Sequence, residues 1–298
     1  MKADCLNNND VNGSVYVVCY SGGHSSALCA IEAVRAYGKE RVILLNHDIT
    51  PKVEDADIKR FKVEVAEYLG LPITYANHDQ WDTATPIDVC VDAGAWKVGS
   101  GQILCTNRLK TAPFKKWLKT NDPDKKNIYI YGFDASPRER ERAQRRAQIM
   151  GLDGYNTEFP MISWEKTVSV TNEIGIAPPM SYNRFKHANC IGCLKAGWQH
   201  WYIVYCERTD IWEDAKVAES GIGYAIHKDE LGPVYLEDKE SLFEDMKRAG
   251  IEPTEHVTPS KFWHDAKETV KALRADIPIW QLDLFSAHDD GVCVDCMA

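Results

Sequence analysis

The sequence predicts an α/β fold with a mostly parallel sheet flanked by helices and a helical C-terminal subdomain. Three observations predict it. Residues 15–20 (Val-Tyr-Val-Val-Cys-Tyr) are largely β-branched or aromatic and read as a buried strand. A short turn with two glycines follows, and then residues 27–37 place apolar side chains on a helical period, with Gly38 where a C-capping glycine belongs. A second apolar run, residues 41–46, comes after only a short turn, which makes a βαβ unit with parallel strands.

Later segments continue the alternation. Residues 54–69 carry Ile58, Phe61, Val65 and Leu69 on one helical face, and Gly70 ends that pattern. Residues 71–75 read as a third strand, with Pro72 near its start where a missing N–H is tolerated. Residues 77–101 show no clear period and read as a loop or a pair of short helices. A helix is expected over 110–119 and a fourth strand over 127–133, ending in Gly132. After Cys206 the patterns are helical, over 207–219, 242–249 and 260–274. The expected division is a nucleotide-binding domain at 14–206 and a helical subdomain with a cysteine-bearing tail at 207–298.

With 298 residues the chain is long enough to bury a full core. It is 44% hydrophobic and 27% charged, the balance of a globular protein. A net charge of -9 argues against a protein coated in nucleic acid, although a local basic patch stays compatible with it. No apolar run approaches the roughly 20 residues that span a bilayer, and residues 1–13 lack a signal-peptide apolar stretch. A cytoplasmic location with no membrane partner is the expectation. There are ten cysteines; in that compartment they are read as reduced, catalytic or metal-bound.

The turn after the first strand is Ser21-Gly22-Gly23-His24-Ser25-Ser26. Glycines let the backbone approach a ligand closely, and the free N–H groups and dipole of a helix N-terminus favour an anion. The serines add hydroxyl donors. No Gly-Lys-Ser/Thr follows, so the turn is not a Walker A loop. It resembles the PP-loop, Ser-Gly-Gly-x-Asp-Ser, of the adenine-nucleotide α-hydrolase-like superfamily. That group includes ATP pyrophosphatases and the phosphoadenosine phosphosulfate (PAPS) reductases. The resemblance implies a Rossmann-like (HUP-type) sheet with ATP or PAPS bound at residues 21–26. Ser25 stands where many members carry Asp, which weakens the Mg2+-dependent version of the chemistry. Asn46, His47 and Asp48 end the second strand. They are candidates for nucleotide contact, since ligands bind off the carboxyl ends of such strands, or for simple turn formation.

Further motifs appear in the order found in the PAPS-reductase family. Cys105-Thr106-Asn107-Arg108-Leu109-Lys110 resembles its Cys-Thr-x-x-Leu-Lys segment. Arg108 and Lys110 put cations beside Cys105, which is expected to lower the thiol pKa. Five arginines lie between Arg138 and Arg146, interleaved with Glu139 and Glu141. Such a run reads as a solvated helix face, or as a phosphate or nucleic-acid contact through the guanidinium fork. Glu139 and Arg142 match the family's Glu-x-x-Arg. Pro160, Trp164, Ile174-Gly175-Ile176, Tyr182 and then Cys190-Ile191-Gly192-Cys193 complete the series.

The resemblance implies sulfur chemistry on an adenine nucleotide, either sulfonucleotide reduction or sulfur transfer. ATP-dependent thiolation of tRNA or DNA is the alternative, with nucleic acid or a protein as sulfur acceptor; a homodimer is left open. It also implies an iron–sulfur cluster, [4Fe–4S] in type, on Cys105, Cys190 and Cys193, with Lys110 and Arg142 on the nucleotide. Thr106 replaces the second cysteine of a family pair, leaving one iron open for the sulfur being transferred, or else Cys206 closes the set. Cys293 and Cys296, on a C-terminal tail, are the candidate sulfur-carrying nucleophiles. A third reading joins the two C-x-x-C pairs in a four-cysteine zinc site within a binding module that has a vestigial loop. Cys19 and Cys29 read as small core residues, and Cys5 and Cys90 belong to no local motif.

Overall fold

A computed structural model describes residues 13–274. The strands are β1 (Tyr16–Cys19), β2 (Val42–Asn46), β3 (Ile73–Tyr75), β4 (Ile128–Ile130), β5 (Asn156–Glu158), β6 (His227–Lys228) and β7 (Pro233–Val234). The helices of the first part of the chain are α1 (His24–Tyr37), α2 (Ala56–Leu69), α3 (Pro86–Asp92), α4 (Leu104–Thr106), α5 (Ala112–Asn121), α6 (Pro137–Leu152) and α7 (Pro160–Ser163). Those that follow are α8 (Trp198–Glu207), α9 (Thr209–Ile222), α10 (Leu236–Arg248) and α11 (Pro259–Leu273).

The chain forms two compact units, and neither is a single stretch of sequence. The first takes the residues up to His47, then Lys59–Ala76 and Phe114–Pro178. The second takes Asp48–Ile58, Asn77–Pro113 and the residues from Pro179 onward. The expected helical subdomain after residue 206 therefore shares its unit with two earlier insertions and with residues 179–206. Local patterning shows which segments are helical; it does not show that these insertions after β2 and β3 pack with a distant part of the chain.

The first unit is the predicted α/β layer. Its sheet has five strands in the order β3-β2-β1-β4-β5, and every pairing is parallel. This is a doubly wound order, with the reversal at β1, where ligands gather at the carboxyl ends of the strands. Val17, Val18, Leu44 and Ile130 are fully buried in it, as a sheet covered by helices on both faces requires. Cys19 and Cys29 are buried core residues, as expected. The fifth strand, Asn156–Glu158, was not foreseen, because Asn-Thr-Glu carries no strand signal of its own; its parallel pairing with β4 makes it one.

The second unit is mostly helical, with the short antiparallel β6–β7 pair. Its core gathers Trp201, Tyr202, Trp212, Leu236, Phe243 and Phe262. The aromatic run after residue 198 is thus core, on α8, and not an exposed stacking platform. Between α4 and α5, residues Asn107–Thr111 wind as a π-helix, so helical backbone begins at Leu104, before the expected start at 110.

Candidate functional sites

In the first unit, β1 delivers the chain to the glycine turn. Gly22 has φ 82, a left-handed conformation that suits glycine. Gly23 is the N-cap of α1, and among the described residues no side chain caps that end. The Ala27 N–H bonds Gly23 O at 3.0 Å and begins the helix. Ser26 is buried and its Oγ donates to Gly23 O at 2.8 Å, while Ser21 Oγ donates to Ser26 Oγ at 3.2 Å. These two hydroxyls brace the turn from inside, and Ser25 is the exposed one. His24 Nε2 accepts the Thr171 N–H at 3.3 Å, and burial, with Lys166 nearby, lowers its pKa. A neutral ring suits that acceptor role.

Gly132, just past β4, closes the back of the turn. A Cβ there would lie 2.8 Å from the Ser25 carbonyl oxygen, so the site tolerates no side chain. The turn is therefore pressed between its own helix and the end of β4. The sequence signal was present in the glycine that ends the fourth strand, but its role shows only when β4 lies beside β1.

Two residues expected on the nucleotide are engaged inside the first unit. Asn46 is buried; its Nδ2 donates to Tyr20 O at 2.5 Å and its Oδ1 accepts from Lys62 Nζ at 3.3 Å. It joins the ends of β1 and β2. Arg142, on α6, pairs with Glu139 at 2.5 Å and lies over the Phe133 ring at 4.8 Å. The Glu-x-x-Arg match is thus a pair within one helix, with Arg146 similarly over Tyr131 at 5.4 Å. Asp48 belongs to the second unit, where its N–H donates to Asn77 Oδ1 at 2.7 Å and its Oδ1 accepts the Ile49 N–H at 3.2 Å.

In the second unit, Cys105, Cys190 and Cys193 line one small cavity. They come from two motifs far apart in sequence. Thr106, Lys110 and Lys195 also line it, and Ile49, Pro86, Leu109 and Leu194 supply its apolar wall. Lys110, expected on the nucleotide, stands here among the thiols. Cys206, the alternative fourth ligand, does not line the cavity; it sits on α8, hydrogen-bonded to the Tyr202 hydroxyl.

The C-x-x-C turn is held from three sides. The Ile191 N–H donates to Val53 O at 2.8 Å. His200 Nε2 accepts the N–H groups of Gly192 and Cys193 at 3.2 and 3.3 Å. With Nε2 accepting, Nδ1 carries the ring proton and faces Glu255 Oε1 at 3.2 Å. Glu255 is held below its usual range: burial alone would raise it, and the bond from His200 overrides burial. Gly192 has φ 74, and a Cβ there would come 2.5 Å from Ile211 Cγ2. His200 and Glu255 were missed by the sequence reading, since neither belongs to a motif.

The expectation of a lowered Cys105 thiol is overturned. Burial raises it, Cys90, Cys193 and Cys190 raise it further, and the single opposing influence of Lys110 is weaker. Burial likewise pushes Cys190 up to about 11, against Lys110. Cys193 is also raised by burial, less severely opposed: the backbone N–H groups of Lys195 and Ala196 point at its sulfur, and both lysines favour the thiolate. The free site thus holds neutral thiols, with cations and N–H donors placed to stabilise thiolates once something binds.

Among the described residues, no group of three or more His, Cys, Asp or Glu converges on the position of a single metal ion. Tetrahedral zinc, with Zn–S near 2.3 Å, needs sulfurs about 3.8 Å apart; a [4Fe–4S] cluster gives each thiolate its own iron and spreads them wider. The donor set, three cysteines on a cavity with an apolar wall, suits the latter. Cys293 and Cys296 lie outside the described residues. Comparisons with family models, curated proteins and solved structures return no match to this chain.

Proposed function

We propose that the chain is a PAPS-reductase-like enzyme that binds an adenine nucleotide, ATP or PAPS, at residues 21–26 and carries out sulfur chemistry, with an iron–sulfur cluster of the [4Fe–4S] type on Cys105, Cys190 and Cys193. The observation that carries it is the meeting of those three cysteines, from two separate motifs, on one cavity. The strand order and the glycine turn directly after β1 support the HUP-type reading of the sheet. The uncapped N-terminus of the 14-residue helix α1 supports the phosphate site. The seven described cysteines are free thiols, which suits a reducing compartment such as the cytoplasm.

Each residue has a stated part. The turn N–H groups bind phosphate, Gly132 leaves the turn its space, and Ser21 and Ser26 hold its shape. Cys105, Cys190 and Cys193 hold iron as thiolates, releasing their protons to solvent. Lys110 and Lys195 balance the negative charge that those thiolates add. His200 and Glu255 fix the C-x-x-C turn. The cluster, when bound, supplies a redox-active iron centre. Cys293 and Cys296 are proposed as the cysteines that carry sulfur.

The test is ligand-induced thermal stabilisation of anaerobically purified protein with ATP and with PAPS. One of them is expected to raise the melting temperature, and Gly132→Ala, which keeps the fold, is expected to lose at least tenfold in that affinity because its Cβ displaces the turn. A preference for PAPS identifies reduction; a preference for ATP identifies the thiolation chemistry. No stabilisation by either, or full affinity in Gly132→Ala, would remove the nucleotide reading. Brown protein whose colour is lost in Cys105→Ala and in Cys193→Ala is expected for the cluster, and colourless protein with stoichiometric zinc would end that part.

A further inference from the structure

A [4Fe–4S] cluster takes four thiolates, and only three cysteines line the cavity. We propose that Cys90 is the fourth, a residue with no motif around it, delivered to the site by helix α3. This rests on the reading that Cys105, Cys190 and Cys193 hold a cluster.

Helix α3 is a short, well-specified element. Pro86 occupies its first turn, and Thr85 and Asp88 form a reciprocal capping box, with bonds of 3.1 and 2.9 Å. Pro86 lines the cavity. Cys90 follows four residues later, and positions i and i+4 share a helix face. Cys90 is therefore on the cavity side of α3, completely buried directly behind Pro86. The chain then folds back. The Ala95 N–H bonds Cys90 O at 3.1 Å, Lys97 pairs with Ile103 in an antiparallel bridge, and the Leu104 N–H bonds Trp96 O at 2.9 Å. That return brings Cys105 onto Cys90, whose sulfur accepts the Cys105 backbone N–H. Of the neighbouring thiols, Cys90 is the one that Cys105 feels most strongly, ahead of Cys193 and Cys190.

Cys90 thus stands where Thr106 cannot serve. A threonine hydroxyl is a poor partner for iron beside thiolates, whereas Cys90 adds a fourth sulfur from a rigid, capped helix. Its thiol, pushed up to about 12 by burial, is neutral in the free protein and gives its proton to solvent as it binds iron. A completed set also leaves no open iron, so the sulfur being moved would be carried by other residues of the chain.

The experiment uses the full chain, reconstituted anaerobically with iron and sulfide, and reads iron content, Mössbauer spectra and EPR after mild oxidation. Wild type and Cys206→Ala are expected to hold about four irons per chain. Cys90→Ala is expected to fall to about three, with the EPR signal of a three-iron cluster, and Cys90→Ser to keep four with one iron spectroscopically distinct. Wild-type iron content and spectra in Cys90→Ala would overturn the proposal. Should that variant not fold, unchanged Mössbauer and EPR spectra in Cys90→Ser would overturn it equally. A wild-type chain that takes up no iron, or a cluster that survives in Cys105→Ala and Cys193→Ala, would instead overturn the reading beneath it, and Cys90 with it.

Discussion

Gly192 shows how much a single residue can determine in this molecule. Its positive φ and the 2.5 Å approach of a would-be Cβ to Ile211 leave no room for any other residue between Cys190 and Cys193. Gly192→Ala is expected to cost about 1–3 kcal/mol, the range for forcing a non-glycine residue into such a conformation, read as a lower urea midpoint with unchanged slope. The position was visible in sequence as the glycine of a C-x-x-C; the clash was not, because Ile211 lies on a separate helix. The same holds for His200. As an isolated histidine in an aromatic run it carries no signal, yet its acceptor nitrogen holds two N–H groups of the turn. Arg142 went the other way. Its motif was legible, but Glu139 and the Phe133 face engage the guanidinium, a pairing that spacing of three on a helix allows and does not require.

Helix α1 carries the phosphate turn at its N-terminus and is anchored further along by one buried carboxylate. Glu32 Oε1 accepts the Thr167 N–H at 2.7 Å, the Thr167 hydroxyl at 2.6 Å and the Val168 N–H at 3.3 Å. Glu32→Ala leaves those donors without that acceptor and is expected to destabilise the protein by about 2–4 kcal/mol, measured by urea denaturation. Glu32→Gln, which keeps an acceptor oxygen, is expected to lose less than half of that. The helical and strand character of α1, β1 and β2 was legible from periodicity, since each carries a long, consistent pattern. β5 was not, because a three-residue strand of polar composition exists only through its partner β4. Helix α3 was readable only as part of an unpatterned region, although Thr85-Pro86 with Asp88 is a capping signature.

At the scale of the whole molecule, stability is expected to depend on a buried histidine of the second unit. His227 packs on Trp198 at 4.2 Å, and its Nε2 has no hydrogen-bond partner among the described residues. Burial, with His200 and Lys239 adding to it, lowers its pKa to about 3. An unfolded histidine titrates near 6.5, so between about 6.5 and 3 the unfolded chain binds a proton that the folded chain refuses. Stability from this group is complete above the unfolded value and falls as the pH drops through that window. The urea midpoint is expected to decline between about pH 7.5 and pH 5, and less steeply in His227→Phe; parallel declines in the two proteins would exclude His227 as the cause. The sequence by itself determined the parallel α/β sheet, the glycine turn at the head of α1 and the identity of the three cysteines, because periodicity, turn chemistry and motif spacing are local properties. Tertiary structure alone decided that the chain divides discontinuously, that burial outweighs Lys110 at Cys105, that Asn46 and Arg142 are engaged within the fold, and that Cys90 stands beside Cys105. Those outcomes depend on desolvation and on contacts between residues far apart in the chain, which no local pattern records.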